Sequence, residues 1–462
     1  MSSIKSSNSK YNLINDRVKY GTDGGINVDS GTLAVNPITM RVGVNTLTPT
    51  STFDISGSIK STSIVDYNNS TGNNSQVLEK ANNQNLWSYL DYNFSGSDMF
   101  PENTGDVLGP PIPVTSGFWS GVCCLGPDGL IYASPRSGNS VYVFNPYNNT
   151  LDLTTYANAT GDFVGCCTGP NGKIYFAPGS SSFVGIIDPV RKSWDNTTIS
   201  STRYPNLATT TTNGKFWRCT LAPNGRIFMA ARSATWIGVV DTNNDTYTSI
   251  DISNITGAAL NGLNYIGSAN AKNGFLYMFP YNNAYPILKI NPTDLSYTQI
   301  PQVFPFTTYN GVVTGPDGNA YGLPGQGNGT PQIRRVDTSG DVFVNSPTLN
   351  NASTFFPRGI SGAVLSLQCE IWFPPNAYDT STPQHLGKYN VSTNTFTYYN
   401  IPSAQRNQIL RRVGAVLAPN GKLYFMLNFR DGSIPDQRVF AFKTGIPTQD
   451  AWMMAPEFNQ SG

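Results

Sequence analysis

The sequence holds one histidine, His385, in 462 residues. Triads built on a Ser–His or Cys–His pair, and metal sites built from several imidazoles, draw on that residue type. At most one such group is available, so neither a catalytic residue nor a metal ligand set is assigned. No cofactor is expected. Charge is scarce too. Asp, Glu, Lys and Arg make up 12% of the chain, about half the usual quarter. The 29 basic and 28 acidic residues leave a net charge of +1. There is no excess to neutralise phosphates, which argues against nucleic acid as a partner, and no polybasic patch for a membrane surface. No apolar run approaches the roughly 18 residues of a spanning helix, so no membrane insertion is expected. Met1 to Lys10 is polar and lacks the apolar segment of a secretory leader, so none is expected.

What is abundant is turn chemistry. The chain has 44 Gly and 32 Pro, with 12% aromatics. Disordered chains are poor in aromatics and high in net charge. The balance predicts an all-β protein of many short strands joined by tight turns.

One phrase recurs. It reads Gly126-Pro-Asp-Gly-Leu-Ile-Tyr132, then Gly169-Pro-Asn-Gly-Lys-Ile-Tyr175, Ala222-Pro-Asn-Gly-Arg-Ile-Phe228, Ala271-Lys-Asn-Gly-Phe-Leu-Tyr277, Gly315-Pro-Asp-Gly-Asn-Ala-Tyr321 and Ala418-Pro-Asn-Gly-Lys-Leu-Tyr424. A worn copy at Leu367 to Trp372 puts Cys369 where the turn glycine belongs. Successive turns lie 43 to 53 residues apart, giving seven copies. Asn-Gly or Asp-Gly between apolar runs predicts a hairpin whose two turn positions both take positive φ. A third strand follows, as in Trp236 to Asp241, then a fourth, as in Thr246 to Ile252. Four antiparallel strands repeated seven times predict a seven-bladed β-propeller over 109–462. The inner strands are rich in Gly, Ala, Cys and Val, as crowding around the axis requires. Ala451 to Ala455 is a candidate for the last outer strand; how the ring closes is not legible.

The repeat also gives the six cysteines a setting. Neighbours on a strand point to opposite faces, so Cys123-Cys124 and Cys166-Cys167 do not easily bridge within a pair. With Cys219 and Cys369 they are expected as small buried residues; bridges between blades, or a redox role, are the alternative. The Asp-rich turns at Asp241–Asp245 and Asp337–Asp341 lack the twelve-residue pattern of Ca²⁺ loops and are expected to be Asx-type turns.

The propeller phrase is absent before residue 118. Residues 1–37 are expected to form an N-terminal arm and 38–108 a shaft and linker. Their short alternating runs bury little alone, and several chains wrapping together would supply a shared core. The run Arg41-Val-Gly-Val-Asn45, then Pro49, Thr50 and Phe53-Asp-Ile-Ser-Gly57, resembles a shaft segment of bacteriophage tail and head fibres and of some giant-virus virion proteins. The continuation Gly72 to Leu78, followed by Trp87, matches as well. Asn45 stands where glycine is usual and Phe53 where leucine is usual. The resemblance covers about residues 24–90 and implies a homotrimer, a virion location and contacts with other virion proteins through the N-terminal region. The propeller is similar to the streptogramin lyase-like and kelch-like groups, a likeness of fold.

The expected function is that of a virion fibre or decoration protein whose propeller binds a host-surface glycan. A non-binding capsid or tail scaffold is one alternative. A polysaccharide-degrading propeller enzyme is the other, and the single histidine disfavours a lyase. The expected ligand face is one mouth of the channel, where each chain enters its inner strand, together with the loops after the second strands. It comprises Trp119, Trp217, Tyr265, Tyr309, Arg412, Arg232, Tyr281 and Arg430. Aromatic faces stack on sugars and Arg donates to hydroxyls; the rival reading packs the aromatics between blades.

Overall fold

The structure, a computed structural model, describes two units separately, Met1–Phe94 and Ser95–Gly462. In the first unit it describes the strands alone. In the second it describes residues 105–108, 119–136, 140–211, 214–255, 262, 264–281, 285–301, 309–325, 332–345, 362–366, 369–374, 385–400, 412–427 and 439–443.

The first unit holds a five-stranded antiparallel meander, Tyr11–Ile14, Val18–Gly21, Ile26–Val28, Leu33–Asn36 and Arg41–Gly43, each strand pairing with the next. Leu33–Asn36 pairs with Arg41–Gly43, so the sheet runs across the expected boundary at 37 and 38. A separate hairpin joins Gln76–Ala81 to Gln84–Tyr89 and sets Leu78 opposite Trp87.

The second unit is a seven-bladed β-propeller. Blade 1 comprises Trp119–Leu125, Ile131–Arg136, Tyr142–Asn145 and Thr150–Asp152; the inner strands of blades 2 to 6 begin at Phe163, Phe216, Tyr265, Tyr309 and Val364. Blade 7 is composite. Its strands Arg412–Leu417, Lys422–Leu427 and Val439–Lys443 are completed on the outside by Gly105–Leu108. The propeller thus begins before residue 109, and the fourth strand expected at 451–455, which lies outside the described residues, comes from the other end of the sequence. This strand, which precedes blade 1 in the chain, covers an edge that would otherwise be bare and ties the last blade to the first.

The blade faces explain the apolar runs. Second strands such as Ile174–Pro178 and Leu276–Pro280 are buried throughout, because a neighbouring blade covers each face. Outer strands are buried only in part: along Thr246–Asp251 Tyr247 packs on the blade 2 side and Ile250 on the blade 4 side, with exposed residues between them. Cys123 packs with Val416, Tyr424 and other blade 7 residues, while its neighbour Cys124 packs with Cys166 of blade 2. Cys167 and Cys219 meet between blades 2 and 3. None of the six cysteines forms a disulfide, and five are buried.

The repeated phrase is a mechanical unit. Gly129 N donates to Gly126 O at 3.0 Å and Gly126 N to Leu130 O at 2.8 Å, and blades 2, 3, 4, 5 and 7 repeat both bonds. The glycines have φ of 73–82°, and Cys369 takes φ 59° in the worn copy. The preceding Asp or Asn does not share the positive φ, contrary to the expectation of a two-residue turn. The proline one step earlier fixes φ near −65° at the second turn position, so the turn is type I and the glycine alone takes the left-handed position, as a bulge. The turns between third and fourth strands of blades 1 to 6 put Asn149, Lys192, Asp245, Leu295, Asp341 and Asn394 at φ of 51–64°. Asp241 and Asp337 accept from Asn243 N and Ser339 N, both at 3.0 Å, as Asx turns do.

Candidate ligand-binding mouth of the propeller

Inner strands enter from one face of the ring, and the loops after second strands open on the same face. In blades 2 to 4 this rim is tied by a relay of backbone bonds. Gly179 N donates to Asp162 O at 2.7 Å, Lys215 N to Gly179 O at 2.9 Å, and Arg232 N to Lys215 O at 2.9 Å. Asn264 N then donates to Arg232 O at 2.7 Å and Tyr281 N to Asn264 O at 2.8 Å. Each residue leaving a second strand thereby pins the residue entering an inner strand, in its own blade and in the next.

Blade 3 departs from its neighbours inside this rim. Its inner strand shifts register between Phe216 and Cys219, so Trp217 and Arg218 both fall in a β-bulge. Blades 2, 4, 5 and 7 shift over a single residue at the same place. A bulge re-aims side chains that a regular strand would send to alternate faces. Trp217 is half-buried, and the Arg232 guanidinium carbon lies 3.9 Å from its ring centroid. Trp217 and Tyr281 both pack on the apolar cluster between blades 4 and 5 that contains Ile266, Phe279 and Tyr309. Arg218, 2% exposed, runs from blade 3 past Gly267 of blade 4, where an added Cβ would lie 3.2 Å from its Cδ. It donates from Nη2 to Asn310 O of blade 5 at 3.1 Å.

The cations here carry the cost of burial. Lys215 donates from Nζ to Thr209 O at 3.2 Å, and burial pushes its ammonium down to about 8, partly offset by Asp162. Burial also pushes Arg218 down to about 10 and lowers Arg334. Asp162 itself accepts from Ser180 N at 2.9 Å and Ser180 Oγ at 2.8 Å.

Of the residues expected on this face, the structure groups Trp217, Arg232 and Tyr281. It corrects two others. Tyr265, 0% exposed, packs between blades 3 and 4 and donates to Pro286 O at 3.1 Å. Tyr309, 1% exposed, meets Phe279 edge to face at 5.2 Å. A ring enclosed on all sides cannot stack on a sugar. Trp119 and Arg412 open their inner strands opposite Arg136 and Leu427. Arg430 lies outside the described residues. Sequence reading missed Lys215, Arg218, Asn264 and Arg334. The signal for two was present: Lys215-Phe-Trp-Arg218 places two cations at an inner strand that is elsewhere small and apolar. His385 is nearly buried at the start of the third strand of blade 6, paired with Asn400.

No protein-family model matches the chain, and no curated protein matches it. Solved structures do match. A streptogramin B lyase is 14% identical with a TM-score of 0.54, covering 74% of this chain and 97% of that one. The virginiamycin B lyase of Staphylococcus aureus is 15% identical with a TM-score of 0.53, covering 74% and 98%. The GH74 enzyme of Niastella koreensis is 13% identical with a TM-score of 0.51, covering 70% and 53%. At such identities the likeness is one of fold: this chain carries a seven-bladed propeller resembling that of streptogramin lyases.

Proposed function

We propose that this chain is a fibre or decoration protein of a virus particle, trimerised through its N-terminal part, with a propeller that binds a host-surface glycan. The binding reading is carried by the half-buried Trp217 under Arg232, with Tyr281 on the same apolar cluster, at an open end of the ring. The fibre reading is supported by the shaft-like run from Arg41 to Gly57. A nearly neutral chain draws little on long-range attraction, so affinity comes from stacking and short hydrogen bonds. Three propellers per trimer then add avidity to weak single sites. Mass photometry of the full chain is expected to give a trimer; a monomer at micromolar concentration would sink the shaft reading. Electron microscopy of particles should place the propeller outward, and a propeller pressed against the shell would favour a scaffold.

An enzyme is the second reading, favoured by the fold shared with a lyase and a glycoside hydrolase. Incubation with host glycans should then release new reducing or unsaturated ends. Binding without such ends supports the first reading.

A further inference from the structure

We propose that residues 451–458 dock onto their own propeller, across the turns of blades 1 and 2 on the face opposite the mouth, where Trp452 and its apolar neighbours cover Tyr147 and Val190.

That face carries the hairpin turns and the turns between third and fourth strands. In blades 1 to 6 the second kind is built alike: an Asp or Asn side chain accepts from a backbone N two or three residues on. Two places after that side chain stand Asn243, Thr293, Ser339 and Ser392 in blades 3 to 6. In blades 1 and 2 the same place holds Tyr147, 48% exposed, and Val190, 87% exposed. Among the described residues Val342 of blade 5 is the one other large apolar side chain so exposed. Pro127 and Pro170, in the hairpin turns of blades 1 and 2, are exposed as well. They join the two blades into one strip. Tyr147 Oη lies 2.6 Å from where a Cβ on Gly129 would stand, and Pro127 Cγ lies 4.0 Å from where one on Gly172 would.

Blade 7 supplies the occupant. Its outer position is taken by Gly105–Leu108, so the residues after Lys443 have no place as its fourth strand. They begin beside the strip. Lys443 pairs with Lys422, two residues after Asn420, and Asn420 donates to the carbonyl of Pro146, the neighbour of Tyr147. Residues 444–450 can extend over about 25 Å, and blades packed about 10 Å apart put blade 2 within that reach. The segment reads Ala451-Trp-Met-Met-Ala-Pro456, with Asp450 before it and Glu457 and Phe458 after. Arg191, its side chain 80% exposed, and the exposed Lys192 follow Val190 and complement those two acids. The carboxylates nearby are engaged within the turns, Asp188 by Val190 N and Arg191, and Asp128 by Tyr132. Covering the strip withdraws apolar surface on both sides from water. Residues 95–104 lead to the same face at Gly105, but from the rim of blade 7, one strand farther from Asn420.

The test uses the full chain with a benzophenone amino acid in place of Val190. Irradiation and peptide mass spectrometry should give cross-links to residues 451–458, and mixing isotopically labelled with unlabelled chains should show them to lie within one chain. Cross-links to residues 95–104 or to a second copy, or none, would overturn the assignment. A second measurement follows chymotrypsin cleavage after Trp452. Val190→Asp sets a charge against the docked segment and should speed this cleavage about tenfold or more at an unchanged melting temperature. Val342→Asp, the same change at the exposed valine of blade 5, should leave it within about twofold. Equal rates in the two variants would overturn the docking.

Discussion

Asn420 of blade 7 donates from Nδ2 to the carbonyl of Pro146 in blade 1 at 3.2 Å. The same clasp joins Asn171 to Thr242 O at 2.6 Å, Asn224 to Pro292 O at 2.7 Å and Asn273 to Thr338 O at 3.2 Å, always from a hairpin turn to the next blade's outer turn. In blades 2, 4 and 7 the same amide also donates to the tyrosine four residues on, as Asn420 does to Tyr424 Oη at 2.8 Å; in blade 3 that position is Phe228. Where the turn carries Asp, at Asp128 and Asp317, the carboxylate accepts from Tyr132 and Tyr321 but has no amide to donate onward. Asn420→Asp is therefore expected to break the seam. It should cost about 1–3 kcal/mol, read as a lower urea midpoint at pH 7; an unchanged midpoint would show the clasp to be energetically silent.

Ring closure depends on Gly105–Leu108, which pairs with Val439–Lys443. A chain beginning at residue 95 should melt as the full propeller does. A chain beginning at residue 109 exposes the edge of blade 7 and should melt several degrees lower, since each lost 1 kcal/mol shifts a large domain by about 2–4 °C. Equal melting temperatures would deny the closing strand its role.

Gly274 isolates the cost of a left-handed turn residue. Its φ is 82°, and an added Cβ would meet nothing within 4 Å. Gly274→Ala should therefore destabilise through the backbone alone, by about 1–2 kcal/mol. Gly274→Asn should cost less, because asparagine tolerates this region. Equal losses would point to a steric cause instead.

Tyr309 and Trp217 separate packing from binding. Tyr309→Ala should lower stability by about 3–5 kcal/mol, as loss of a buried aromatic does, with adsorption per folded molecule intact. Trp217→Ala should do the reverse, lowering glycan binding with a small change in melting temperature. A large fall in stability for Trp217→Ala would place that ring with the packing residues.

Lys215 gives a pH signature. Burial lowers its folded value to about 8 from 10.5, so between those values the unfolded chain binds more protons than the folded one. Stability should therefore rise from about pH 8 toward pH 10. Tyrosines such as Tyr175 and Tyr321, raised mainly by burial, act in the opposite sense at higher pH. The rise should vanish in Lys215→Met; if it persists there, another group is responsible.

The sequence by itself determined the repeat, the blade number and the hairpin turns, because each rests on local chemistry. A turn glycine at positive φ between apolar runs is written within a few residues, although the type I form of the turn, with glycine alone in the left-handed position, emerged only in the structure. It even marked Cys369 as the stand-in for a turn glycine. The contacts between blades were decided by tertiary structure. Whether Tyr309 faces a ligand or a neighbouring blade depends on Phe279, some thirty residues away, and on the register shift before Gly311. The bulge that aims Trp217 and Arg218, the meeting of Arg218 with Asn310, and the strand Gly105–Leu108 that closes the ring all join residues far apart in the chain. Their pairing is fixed by the geometry of the closed ring, which no local pattern of residues encodes.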